Sequence, residues 1–337
     1  DSARELMRKI ADGERMIKRM ILGAMLLGNA AWCAVGADGG YAGAFLRMGF
    51  EARSKSLGDA FVAVPEGAGA GVYNPGALPQ LSGPQLMMSL SFLPLDRSLD
   101  FVGFALPIRP QSGNSGARPL NAGLMVGWLH AGVDHIDGRD FAGNRTQELS
   151  NSEHAFFMGF AVAPSERLSF GVSGKILYNR IPDIAEEGGA LTSRGLGIDF
   201  GVFFRAMSGL TFGAAVKNNM AKYTWNTDKV YERGTSTTYA LPRTLRVGAA
   251  WRIPQQWLLV VADVESSDKQ NPRYHFGAEA TLHRLAAVRL GLDHGKPTFG
   301  FGVRSRLFGK QAELNYAFVP TLEALSPDHV FSWTIDF

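Results

Sequence analysis

Over the last seven residues of the chain, Phe331, Trp333, Ile335 and Phe337 alternate with Ser332, Thr334 and Asp336. Successive side chains of an extended strand point to opposite faces, so one face of this segment is apolar and aromatic and the other is polar. Such a strand, finishing on a phenylalanine, fits the closing strand of a bacterial outer-membrane β-barrel. Hydrocarbon covers one face, a watery lumen the other, and the last aromatic ring sits at the membrane boundary. Phe331, Trp333, Ile335 and Phe337 are thus expected to form the C-terminal signal that the barrel-assembly machinery recognises, with outer-membrane lipid as their final surroundings.

Composition agrees with a barrel. The mean hydropathy of −0.03 is too polar for a helical membrane protein. Lumen-facing polar residues diluting lipid-facing apolar ones would produce such a value. The 40 glycines and 22 phenylalanines suit many short strands. A single large barrel uses 337 residues without a domain boundary. The single cysteine, Cys33, lies in a segment expected to be removed. Disulfides, a thiol nucleophile and cysteine-ligated metal are then excluded from the mature chain. Residues 1–37 carry six Lys/Arg and four Asp/Glu, so 28 bases and 27 acids remain beyond them. That balance gives no reason to expect a nucleic-acid partner.

Residues 1–37 read as an upstream extension followed by a secretory signal peptide. Lys18 and Arg19 form a basic start, Met20 to Ala31 an apolar run, and Val35-Gly36-Ala37 a small-residue cleavage site. The apolar run is short for a membrane-spanning helix.

From residue 83 to residue 337, fourteen strand-like segments recur: 85–93, 99–108, 119–131, 153–163, 167–178, 193–205, 210–218, 243–253, 257–265, 274–282, 285–293, 297–306, 311–318 and 329–337. In the fifth, Phe170, Val172, Ile176 and Tyr178 share a face, with Ser169, Ser173 and Lys175 opposite. Tight connections such as Pro164-Ser165-Glu166 alternate with longer ones around 132–152, 179–192 and 219–242. Short periplasmic turns and long external loops would produce that alternation. The connections near 94–98 and 109–118 depart from it. A soluble β-sandwich also alternates, but the export segment, loop asymmetry and aromatic terminal strand together favour a closed membrane cylinder.

Residues 38–82 do not alternate. Small residues dominate from Gly67 to Ala77, so this backbone can approach other backbone closely. Phe45, Phe50, Phe61 and Val62 argue against a disordered tail. The segment is expected to be a hatch plugging the lumen. Gly58-Asp59-Ala60, followed by Tyr73-Asn74-Pro75-Gly76-Ala77-Leu78, resembles the N-terminal pattern of FadL-like outer-membrane proteins, nearest to their PorV/PorQ branch. The usual Pro-Ala-Gly-Leu order is swapped here. Gly195 to Gly201, Leu210 to Gly213 and Leu241 to Gly248 also resemble that branch. The resemblance implies a 14-stranded barrel with an N-terminal hatch, in which Gly58, Asp59, Tyr73, Asn74, Pro75 and Gly76 belong to the hatch. It implies transport of long-chain fatty acids or other hydrophobic molecules, or, in the PorV-like members, the handling of cargo proteins with type IX secretion partners.

No catalytic signature is present: no G-x-S-x-G, H-E-x-x-H or P-loop. Neither an enzyme activity, a cofactor nor a metal site is expected. His130 and His135, near Asp134 and Asp137, read as a solvated loop rather than a metal site. Strand parity turns Lys175, Asp199, Arg246, Glu279, Arg289 and Asp293 into the lumen, where opposite charges can pair and hold a plug. Phe203, with Phe45, Phe50 and Phe61, would supply apolar walls for a hydrophobic ligand. A passive porin remains a third expectation beside the transporter and the secretion component.

Overall fold

The structure, a computed structural model, describes residues 41–110, 120–140, 142–182, 189–228, 233–253, 255, 257–283, 285–307, 309–321 and 325–337. The predicted export segment, with Cys33, lies outside the described residues.

Sixteen strands are described: β1 (Gln85–Leu93), β2 (Arg97–Ile108), β3 (Asn121–Arg139), β4 (Arg145–Ala163), β5 (Leu168–Ile181), β6 (Leu191–Met207), β7 (Leu210–Asn219), β8 (Lys222–Asn226), β9 (Ser236–Ala240), β10 (Thr244–Arg252), β11 (Leu258–Ser267), β12 (Arg273–His283), β13 (Ala286–Asp293), β14 (Lys296–Leu307), β15 (Lys310–Val319) and β16 (Asp328–Asp336). Every pairing is antiparallel. Gln85 lies opposite Asp336 and Phe92 opposite His329, so the first strand pairs with the last and the sheet closes. β7 pairs directly with β10, leaving a cylinder of fourteen strands. β8 and β9 form a hairpin attached to β6 only through Ser193 and Arg194.

The alternation read from sequence gives the wall its two faces. On β5, Ser169, Ser173 and Lys175 point inward and are buried, while Phe170, Val172 and Ile176 stand exposed outward. On β6, Asp199 and Phe203 are buried, and Leu196, Ile198, Phe200 and Val202 are exposed. A continuous outward band of large apolar side chains results, with Met158 71% and Leu196 68% exposed. Such an area is far beyond what water tolerates and suits hydrocarbon. Among the described residues no helix is long and apolar enough to cross a membrane.

Two stretches expected as loops are partly strand. β3 and β4 extend through 132–139 and 145–152, beyond the apolar alternation, with register shifts near Ile136 and Arg139. Their outward side chains there are polar, so hydrophobic period could not reveal them. Residues 219–242 likewise contain the β8–β9 hairpin, in which only Tyr223 and Trp225 of β8 turn an aromatic face to the core, too short a period to mark a strand. The connection at 94–96 is a tight turn after all, and it shares the loop end of the cylinder with the longer connections.

Residues 41–83 lie inside the cylinder, touching inward positions around its circumference. Ser89 on β1 donates to the Phe50 carbonyl, Ser169 on β5 to the Gly76 carbonyl, and Asp263 on β11 accepts from the Phe61 and Val62 amides. Barrel glycines admit this backbone. A Cβ on Gly277 would stand 2.5 Å from the Leu57 carbonyl oxygen, and one on Gly123 2.6 Å from the Leu78 carbonyl carbon. Gly171 and Gly201 face Pro75 and Gly76 in the same way, Gly213 faces Val62, and Gly291 faces Leu57 and Gly58. Any side chain at these six positions would push the segment away.

Gly277→Val should therefore leave the strand content of the barrel intact while making residues 41–82 protease-sensitive, since overpacking of this kind costs about 1–3 kcal/mol. Gly174→Ala, whose Cβ meets nothing within 4 Å, should leave the segment as protected as in the parent. Equal protection in both variants would contradict the glycine-contact account.

Candidate functional site

The lumen is an interior built from charges. Lys175 Nζ lies 2.8 Å from Asp199 Oδ1 and donates to Asn218 Oδ1 at 2.7 Å. Arg246 donates to Glu265 and also to the Asp59 carbonyl at 2.8 Å and the Asp59 carboxylate at 3.1 Å. Glu279 accepts from Arg53 and from Arg289, each at 2.7 Å. Arg289 continues to Asn315 at 2.7 Å and Glu313 at 3.0 Å. Asp293 faces His275 at 3.1 Å and Lys55 at 3.8 Å. The six ionisable residues assigned by strand parity all point inward. Phe203, fully buried, packs beside Gly76.

Several of these pairs join the wall to the inner segment rather than wall to wall. A short helix at Ala52–Ser56 places Arg53 and Lys55 toward β12 and β13. Arg53 bridges Glu279 on one side and Glu66 at 2.7 Å on the other, and Glu66 meets Arg252 at 2.9 Å. A stranded buried charge costs several kcal/mol, so such a network stands or falls together.

Gly58 and Asp59 both adopt the left-handed conformation, with φ of 66° and 62°. A Cβ at Gly58 would stand 2.5 Å from the Leu292 and Phe276 carbonyl oxygens, so both the turn and the space demand glycine. The turn aims Asp59 at Arg246. Asn74 stitches the segment to itself and to the wall: its amide donates to Val62 O at 2.8 Å and Val202 O at 2.9 Å, and its side-chain oxygen accepts from Gly76 N at 3.0 Å. That last bond caps a 3₁₀ turn over Pro75–Gln80, where Pro75 supplies the fixed φ and no surplus donor. Tyr73 shares a hydrogen bond of 2.5 Å with Ser54 and stacks on Phe50 at 5.3 Å. Burial, with Asp59 and Glu51 nearby, holds its phenol well above the ordinary value.

Two cavities flank the segment. The one toward the loop end is about 30 Å³, and its walls include Phe50, Val72, Tyr73, Leu129, Phe157 and Lys217. It has room for roughly one water. Lys217 stands 5.2 Å above the Tyr73 ring. Arg47, also in this wall, donates only to the Ala42 and Gly43 carbonyls. Among the described residues neither cation forms a salt bridge. The other cavity, about 230 Å³, opens at the turn end between Val64, Pro65, Glu66, Ala250, Arg252 and Leu259. Residues Asp59 to Glu66 run between the two. Phe203 lines neither cavity, whereas Phe50 lines the first.

Sequence reasoning missed Glu51, Arg53, Glu66, Lys217 and Glu313. Parity on β7, where Gly213 and Ala215 are buried, would have turned Lys217 inward. For the charges at 51–55 the signal was their position within an otherwise apolar, small-residue stretch, where an ion needs a partner. Among the described residues no group of three or more His, Cys, Asp or Glu is placed to hold a metal ion.

The chain is thus a closed fourteen-stranded antiparallel β-barrel, with residues 41–81 packed against inward positions of its wall. No protein-family model matches it, and no curated protein matches it. Its fold is shared with solved FadL-type barrels. The crystal structure of the Pseudomonas putida toluene transporter TodX aligns with a TM-score of 0.59 at 13% identity, covering 86% of this chain and 99% of that one. A TodX mutant described as a monoaromatic hydrocarbon channel gives the same TM-score, identity and coverage. A Pseudomonas aeruginosa FadL homologue aligns at 0.56 with 11% identity, covering 86% of this chain and 98% of that one.

Glu51 supplies a chemical test of the packed interior. It is 2% exposed and one of its carboxylate oxygens has no hydrogen-bond partner. Burial pushes its carboxyl up to about 8, against the opposing pull of Arg53 and Arg289. The folded chain holds this proton more tightly than an unfolded one. Its penalty is therefore absent below the ordinary carboxylate range, and stability is lost as pH rises toward 8. Glu51→Gln should raise the melting temperature at about pH 9 and change it little at about pH 4, removing a penalty on the order of a few kcal/mol. Parallel melting curves for parent and variant across that range would refute the assignment.

Proposed function

We propose that this protein is an outer-membrane channel for hydrophobic small molecules and that residues 41–82 are its hatch. The carrying observation is a pair of cavities on opposite sides of one lumen-filling segment. The loop-end cavity sets Phe50, Val72, Leu129 and Phe157 against charged groups that include Asp59, Lys175 and Arg246, and the turn-end cavity sets Val64, Ala250 and Leu259 against Glu66 and Arg252; apolar surface beside polar anchors is what a small-molecule site needs. The outward apolar band supplies the membrane setting, and the shared fold with barrels titled as toluene and monoaromatic hydrocarbon channels supports the substrate class. The loop-end cavity holds only about one water, so a ligand enters by displacing hatch residues rather than by filling a ready pocket.

The moving part in this reading is Asp59 to Glu66. Asn74 and Pro75 are wedged against Gly171 and Gly201 and are a poor hinge. Asp59 to Glu66 stand between the cavities and are held by the salt bridges of Arg246, Arg53 and Arg252, which can be exchanged for ligand or water. Lys217 and Arg47 beside Phe50 and Leu129 suit a carboxylate-bearing chain, the fatty-acid-like form of the substrate class. A lumen filled this way argues against a permanently open porin. The secretion-component reading rests on the sequence resemblance alone.

In proteoliposomes the parent protein should pass a labelled long-chain fatty acid while excluding a small hydrophilic dye. Removing residues 41–80 should admit the dye. Lys217→Met should reduce fatty-acid binding about tenfold, the loss of one charge-assisted contact, and leave a neutral aromatic hydrocarbon unaffected. If the parent neither binds nor passes any lipid-like or aromatic compound, the channel reading fails.

A further inference from the structure

We propose that the outward face of β3–β6, at the loop end, binds the phosphate of a lipid headgroup in the surrounding leaflet. The inference rests on the membrane setting proposed above. Its site lies on the outside of the wall, apart from the lumen.

The sheet register places one polar row across five strands, β2 to β6. Asp100 lies opposite His130, His130 opposite His154, His154 opposite Tyr178, and Tyr178 opposite Arg194. One step toward the turns, the matching row is Val102, Trp128, Phe156, Ile176 and Leu196, all apolar or aromatic. The change of character between adjacent rows marks where hydrocarbon gives way to headgroups. Arg180, one step the other way, is diagonal to Arg194 across the β5–β6 pair. Both guanidinium groups are exposed, and among the described residues neither forms an ion pair. An anionic lipid at this height gains from a cation beside the surface, and two arginine forks match phosphate oxygens better than ammonium groups would.

The neighbouring rings make this a built surface rather than two stray cations. Trp128 Nε1–H donates to His154 Nδ1 at 3.2 Å, so His154 keeps its own proton on Nε2 as a donor. His154 stacks on His130 at 4.9 Å and on Tyr178 at 6.1 Å. In the register His154 lies diagonal to Arg180 across the β4–β5 pair, and Tyr178 lies directly opposite Arg194. Elsewhere in the wall, the outward residues near the loop ends of β1, β12 and β15 include Phe92, Tyr274 and Phe318, none of them cationic.

The full chain purified in neutral detergent should be offered diphosphoryl lipid A or phosphatidylcholine, and retained lipid read by native mass spectrometry. Retention of the phosphorylated glycolipid is expected over phosphatidylcholine, with an about tenfold loss in an Arg180→Gln/Arg194→Gln double variant. Equal retention by parent and variant, no preference for the glycolipid, or equal displacement by inorganic phosphate would each overturn the proposal. The double variant lies outside the lumen and should pass ligand in proteoliposomes like the parent. Loss of lipid discrimination with flux intact, or the reverse, separates this inference from the channel reading.

Discussion

Hydrocarbon cannot hydrogen-bond a peptide group, and that constraint governs everything else in this fold. An open sheet edge would leave a row of unpaired amides and carbonyls in lipid. The pairing of Gln85–Leu93 with Asp328–Asp336 removes the last edge. Once closed, the wall must present apolar side chains outward at every second position, so the alternate residues are all driven inward whatever their character. The charged interior is a consequence of closure.

A cylinder of fourteen strands encloses more space than inward side chains can fill. Residues 41–83 occupy it, and the contact is made largely by backbone. Small residues within the segment meet glycines of the wall, so carbonyls and amides of the two approach directly. Side chains cross as well: Phe50 packs on Phe101 at 4.2 Å, and charged or amide groups meet defined partners, Arg53 to Glu279, Arg246 to Asp59 and Asn74 to Val202. Burying an ion pair gives little net stability but strongly penalises mispairing. The glycines therefore set how near the segment can come, and the ion pairs set its register within the lumen.

The wall was largely legible in the sequence because period two is imposed by lipid. The first strand was read with the boundaries observed, and Lys175, Asp199, Arg246, Glu279, Arg289 and Asp293 followed from parity alone. Legibility ended where lipid ends. Residues 132–139 and 145–152 continue the β3–β4 ladder above the apolar band, sustained by hydrogen bonding with no apolar outward face to announce it, and the β8–β9 hairpin there shows only the pair Tyr223 and Trp225. The inner segment was legible only as compact and glycine-rich. Its contacts are long-range, with Glu279 226 residues beyond Arg53, and no local pattern encodes such a pairing. Lys217 shares the parity of Gly213 and Ala215 on β7, so its inward position was within reach of the same rule.

The attachments of the inner segment are unequal, and that inequality bears on function. From Asn74 to Leu81 the chain is wedged against the glycines of β3, β5 and β6 and tied by hydrogen bonds of Asn74 and Ser169, with Arg205 and Arg109 donating to Gln80 and Leu81 at its end. From Asp59 to Glu66 ionic ties stand at both ends, with amide and hydroxyl hydrogen bonds to Phe61, Val62 and Ala63 between them, and one ionic tie has an alternative partner close by: Arg252 lies 3.8 Å from Glu279 as well as 2.9 Å from Glu66. A displacement of Glu66 would thus leave Arg252 near another carboxylate, lowering the cost of breaking that contact. In the channel reading proposed above, a segment held this way would swing about its glycine-wedged part rather than leave the lumen. Such a motion would join the cavities at the two ends of the lumen without exposing a sheet edge, so the barrel itself need not open for a ligand to pass.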